Sequence, residues 1–149
     1  REDLGREAAE EVENVLRSRL LDMLLDANPF EVPASMVDRY VSGVIGDQPN
    51  LDPARLEEIR ASIRVEAERA VKRILIIEKI AETQGLAASE DDIDTRVEEI
   101  AKTNESTAAK VYASLQKAGR LEMLERELTE RKVFDFLKEQ SEIIDSAAP

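Results

Sequence analysis

The sequence predicts an all-α fold, and three observations carry that prediction. Charged residues make up 36% of the 149 residues, most of them Glu, Arg and Lys, which are strong helix formers. Five glycines and five prolines leave room for few turns. Apolar residues recur at spacings of three and four along most of the chain, the period of a helix with one buried face. The length is that of one domain, which buries roughly 70% of its unfolded surface. With Phe30, Tyr40, Tyr112, Phe134 and Phe136 as its five aromatics, the core has to be built from Leu, Ile, Val and Ala.

The first helix is predicted over 4–27. Leu4, Ala8, Val12, Val15, Leu16, Leu20, Met23, Leu24 and Ala27 define its expected inner face. From Leu20 to Leu25 the helix is apolar nearly all round, so that end is either deeply buried or offered to a partner. Asn28-Pro29 stops it, because the residue before proline avoids the α region. Phe30-Glu31-Val32 reads as an extended link, and Pro33 suits the first turn of a second helix with Met36, Val37, Tyr40, Val41, Val44 and Ile45 on its face. Residues 46–50 form a loop, and Asp52-Pro53 is an N-cap followed by proline.

A third helix is expected from about Pro53 to Gln84, roughly 45 Å long at 1.5 Å per residue. Leu56, Ile59, Ile63, Ala67, Ala70, Ile74, Ile77 and Ala81 step by threes and fours along it, like a coiled-coil seam. Ile74 to Ile77 are aliphatic on every side, as in a helix crossing a core or a surface that receives unfolded chains. Gly85 suits a left-handed C-cap. Ser89 then caps a fourth helix whose first turn carries Glu90, Asp91 and Asp92 on the positive end of the helix dipole, with Ile93, Val97 and Ile100 inward. Asn104-Glu105-Ser106 breaks it. A fifth helix holds Val111, Tyr112, Leu115 and Ala118 and ends at Gly119. A sixth runs from Arg120 to about Gln140 with Leu121, Leu124, Leu128, Phe134 and Leu137 inward, and residues 141–149 read as a fraying tail.

Several function classes lose their footing. A net charge of −12 argues against direct nucleic-acid binding, which needs clustered Lys and Arg. No apolar run approaches a membrane span. Without Cys or His, thiolate chemistry and His-ligated metal sites are excluded within the chain. The Asp91–Asp94 cluster fails as a calcium loop, since Val97 stands where the turn glycine would be, and a charged first turn is the better reading. No phosphate loop and no nucleophile–base pair can be drawn. The sequence therefore predicts no active site, no metal and no cofactor. Tyr40 and Tyr112 suit a half-exposed face, with core placement slightly favoured for each. The apolar surplus at Leu20–Leu25 and Ile74–Ile77 predicts self-association or an apolar partner.

Two segments resemble a known family. Asn28-Pro29-Phe30-Glu31-Val32-Pro33 is similar to the hinge of the trigger factor C-terminal domain. Val71-Lys72-Arg73-Ile74-Leu75-Ile76-Ile77-Glu78-Lys79-Ile80-Ala81-Glu82, followed by Gly85-Leu86 and an acidic helix start, is similar to that family's long helix and the turn after it. Val111-Tyr112, Gly119-Arg120-Leu121 and residues 131–137 continue the match in the family's order. The resemblance implies a helical body with two extended arms, related to SurA-like chaperone modules, that holds unfolded or nascent polypeptides without ATP in the cytoplasm. It implies that ribosome docking and prolyl isomerisation belong to other domains of the parent protein, which these residues do not contain, so the chain itself is expected to be no enzyme. It transfers no catalytic residue. An envelope chaperone domain and a purely structural helical module are the alternatives. By residue type and position, the candidate client contacts are Met36, Tyr40, Ile59, Ile63, Tyr112, Leu115, Leu121 and Met123.

Overall fold

The computed structural model describes residues 2–141, and the tail residues 142–149 lie outside the described residues. The described residues form six helices: α1 (Glu2–Ala27), α2 (Ala34–Ile45), α3 (Pro53–Gln84), α4 (Glu90–Thr103), α5 (Ala108–Lys117) and α6 (Leu121–Gln140). They fall into two compact units, Arg1–Ile76 and Ile77–Pro149, with the division inside α3.

The first unit holds α1, α2 and most of α3. Its core brings Val37 and Val41 of α2 onto Ala67 of α3, with Val32, Tyr40, Ile45 and Ile63 packed around them. Pro33 stands at the N-cap of α2 rather than inside its first turn, and its carbonyl accepts from Met36 N at 3.0 Å. An ion pair of 2.6 Å from Arg64 to Asp38 adds a polar strap between α2 and α3.

The helices are placed as expected, but their faces are rotated in this unit. On α1 the buried residues are Leu21 and Leu25, whereas Leu4, Val12, Val15 and Met23 of the expected inner face are exposed. Asp22 accepts from Arg69 at 2.9 Å and from Arg73 at 3.2 Å on α3, a part-exposed contact that accompanies the burial of Leu21 and Leu25. On α2, Val44 is exposed although the pattern placed it inside. On α3, Val71 is buried and Ile74 is exposed, so the inner line runs Ile63, Ala67, Val71 instead of following the 3.5-residue seam. Leu75, Ile76 and Ile77 are half-buried, so none of the four consecutive aliphatics is fully enclosed and no core-crossing segment exists there.

The second unit packs α4 against α5 and α6, and its buried apolar residues are Ala81, Val97, Ala101, Leu124, Val133 and Phe134. Val133 and Phe134 are the most completely enclosed large side chains, and Val133 was absent from the expected face. Three helix ends here share one closing device. After α3, Leu86 N donates to Ala81 O at 2.9 Å over Gly85; after α5, Arg120 N donates to Leu115 O at 2.9 Å over Gly119; after α4, Ser106 N donates to Ala101 O at 2.8 Å over Glu105. The middle residue is left-handed each time, with φ of 64° at Gly85, 67° at Gly119 and 49° at Glu105. Each bond satisfies a carbonyl that the end of the helix would otherwise strand.

Candidate functional site

Three ionisable clusters are tied into the helix packing, around Asp92, Asp22 and Asp38. Ser89 and Asp92 form a reciprocal capping box at the start of α4. Asp92 N donates to Ser89 Oγ at 3.2 Å, and Ser89 N donates to Asp92 Oδ2 at 2.8 Å. Lys132 of α6 reaches the same Oδ2 at 2.7 Å and the Ala87 carbonyl at 3.5 Å. The Lys132 ammonium, and after it the Ser89 amide and hydroxyl, hold the Asp92 carboxyl down to about 2. Asp22 is lowered first of all by its hydrogen bond from Arg69, and Arg64 is raised by Asp38. Carboxylates held ionised in this way cannot act as general acids near neutrality.

Beside Lys132 a solvent-open groove of about 220 Å³ runs between α4 and α6. Asp92, Glu99 and Asp135 line it together with Arg96, Arg131 and Lys132, so its lining carries no net charge. Among the described residues, no three carboxylates converge as a metal site would require. No described helix is long and apolar enough to cross a membrane.

What the surface does offer is apolar. In the second unit, Tyr112 of α5 is 41% exposed and Met123 of α6 is 59% exposed, while Leu115 and Leu121 are half-buried. The expected lean of Tyr112 toward the core is thus corrected. Leu115 and Val111 take the more sheltered positions of α5, and Tyr112 stays partly in solvent. Ala118, also expected inward, is exposed in the C-terminal turn. In the first unit, Met36 is exposed at the start of α2 and Ile59 is half-buried on α3. Tyr40 and Ile63 pack on the Val37–Val41–Ala67 cluster and present only part of their surface. The eight candidates therefore divide between the two units, four on α2 and α3 and four on α5 and α6. Leu4, Val12, Val15, Val44 and Val65 are exposed without having been expected so, while the exposed Met23 and Ile74 fall within the two apolar stretches expected to be buried or to face a partner. For Val65, the signal was an aliphatic residue off the seam, between Arg64 and Glu66.

Six helices that leave large aliphatic, Met and Tyr side chains partly in solvent make this an all-α domain with apolar surface. Residues 1–139 match the family described as bacterial trigger factor protein (TF) C-terminus, and the chain belongs to that family. It is 32% identical over 145 residues to the trigger factor of Geotalea uraniireducens, covering 90% of this chain and 34% of that protein. With the trigger factor of Geobacter sulfurreducens it shares 33% over 134 residues, 82% of this chain and 31% of the relative. With that of Syntrophotalea carbinolica it shares 31% over 160 residues, 99% of this chain and 36% of the relative. The chain thus spans about a third of the length of the curated relatives it matches. No solved structure matches it.

Proposed function

We propose that this chain is a holding module of a trigger-factor-type chaperone, which binds apolar stretches of unfolded or nascent polypeptides without ATP and delays their misfolding. The observation that carries the reading is the exposure of large apolar side chains on both units of a trigger factor C-terminal domain, Met36 on one and Tyr112 and Met123 on the other. Apolar burial contributes about 25 cal/mol per Å² and has no direction, so scattered patches accept many client sequences weakly. A net charge of −12 keeps a loaded complex soluble and disfavours acidic clients.

The proposed role is holding rather than turnover. It needs neither a cofactor nor a metal, takes place in the cytoplasm, and leaves ribosome docking and prolyl isomerisation to other parts of the longer protein. The test is aggregation of several chemically denatured, unrelated proteins diluted into buffer with and without the 149-residue chain, in the absence of ATP. Delayed light scattering for most of them is expected. Protection of none, or of a single partner with saturable stoichiometry, would point to a fixed structural interaction and sink the proposal.

A further inference from the structure

Methionine is among the residues most often enclosed in a protein core, yet all three methionines of this chain reach solvent. Met23 on α1 is 67% exposed, Met123 on α6 is 59% exposed and Met36 on α2 is 36% exposed. The buried apolar side chains among the described residues are Leu, Val, Ala and Phe alone. With no Cys, His or Trp in the sequence, these thioethers are also the side chains that a mild two-electron oxidant attacks first. The sulfur chemistry of the chain is therefore confined to its surface.

The surroundings of each sulfur decide what oxidation does there. Met23 has the exposed Arg19 and Asp26 one turn away on α1, and Met123 has the exposed Arg126 and Glu127 one turn on along α6. Met36 stands one turn before Tyr40 on the same side of α2, and both are candidate client contacts. A sulfoxide at any of the three stays hydrated, so the packing of the helices loses nothing. What disappears is apolar surface, because a client's side chain can cover the new S=O group only by stripping water from it.

We propose that Met23, Met36 and Met123 form an oxidation switch on the holding surface: a peroxide converts them to sulfoxides, and the still-folded chain lets go of apolar clients. The inference rests on the holding role proposed above. In each step the thioether sulfur attacks the peroxide and the O–O bond breaks. One oxygen stays on the oxidised sulfur, and the other leaves as water in the reduced product. Two thiols, delivered by a sulfoxide reductase, reverse the step by taking the oxygen off as water and closing to a disulfide. Burying the end of one methionine, on the order of 30 Å² of apolar area, tightens a contact roughly threefold. A sulfoxide forfeits that gain wherever a client touches it.

The test treats the 149-residue chain with hydrogen peroxide under native conditions. Mass spectrometry should show three added oxygens, with Met23 and Met123 oxidised before the less exposed Met36. Far-UV circular dichroism should not change, and the melting temperature should move by no more than roughly 3 °C. The trisulfoxide should elute earlier from a phenyl column, and several-fold more of it should be needed for the same suppression of aggregation. Reductases for the two sulfoxide epimers, with dithiothreitol, should restore both readouts. The Met23→Leu/Met36→Leu/Met123→Leu variant has no sulfur, so its elution and protection after peroxide should equal its own values before. Methionines that resist the oxidant in the native chain, a chain that unfolds as they react, unshifted elution, or a triple variant as peroxide-sensitive as the parent would each overturn the proposal. If the untreated chain protects no client, the holding role fails and the switch with it. An untreated chain that protects and a folded trisulfoxide that protects equally well sink the switch alone.

Discussion

Lys132 Nζ on α6 donates at 2.7 Å to Asp92 Oδ2, the same oxygen that accepts the Ser89 N–H at the start of α4, so one carboxylate both caps a helix and ties it to its neighbour. Replacing Ser89 by Ala removes the acceptor for Asp92 N and should cost about 1 kcal/mol in chemical denaturation. Asp92→Asn should lower the melting temperature at neutral pH more than a surface control such as Glu98→Gln.

The same contact predicts the acid limb of stability. Asp92 is held at about 2 when folded against an ordinary 3.8, so the folded state binds this proton more weakly than the unfolded chain. Its contribution is fully present above about pH 4, fades as pH falls, and is gone near pH 2. Asp22, lowered chiefly by Arg69, acts with the same sign. Urea midpoints measured across that window should flatten in Asp92→Asn. An unchanged acid slope would show that other carboxylates govern it.

Glu105 stands in the left-handed conformation that Gly85 and Gly119 occupy at the two sister helix ends. A Cβ is strained there, so Glu105→Gly should stabilise the chain by roughly 0.5–1 kcal/mol even though glycine loosens the unfolded state. Gly119→Ala should destabilise by about as much, although its Cβ would meet open space, because the cost lies in the backbone and not in a clash. Paired melts of the two variants against the parent chain check both signs.

Phe134→Ala should be the most damaging single truncation in the second unit, at about 3–5 kcal/mol, since the ring is almost entirely enclosed. Met123→Ala, eleven residues earlier on the same helix but exposed, should stay within about 0.5 kcal/mol. Similar losses at the two sites would contradict the enclosure of Phe134 and the exposure of Met123.

Tyr112→Ser combined with Leu115→Ser tests the client surface. Tyr112 lies in solvent and Leu115 is half-buried, so the double variant should keep most of its helix content while protecting aggregating proteins less well. Full protection by a folded double variant would remove α5 from the client surface. Collapse of helix content would assign Leu115 to the packing of the second unit.

Element positions were legible in the residues because helix ends are decided locally. Asn28-Pro29 stops α1, Pro53 opens α3, Gly85 ends it, and the Ser89 capping box starts α4, all through bonds or sterics within a few residues. The faces were less legible. In the second unit Val97, Leu124 and Phe134 point inward as the spacing predicts. On α1 and α3 there are more apolar positions than neighbours to cover them, so periodicity alone could not say which stripe was buried. The candidate surface was read to the same depth. Met36, Tyr112 and Met123 are exposed as a client-facing role needs, whereas Tyr40 and Ile63 share their surface with the core cluster.

By itself, the sequence determined the all-α class, six helices and their ends, because propensity, capping and proline geometry act over a turn or less. Tertiary structure alone decided how α1 and α3 are rotated. Asp22 reaches two arginines about fifty residues away, and on the same helix Leu21 and Leu25 are buried while Leu4, Val12 and Met23 stay in water. Such a choice depends on the charge and shape of a distant partner, to which a helical period carries no reference.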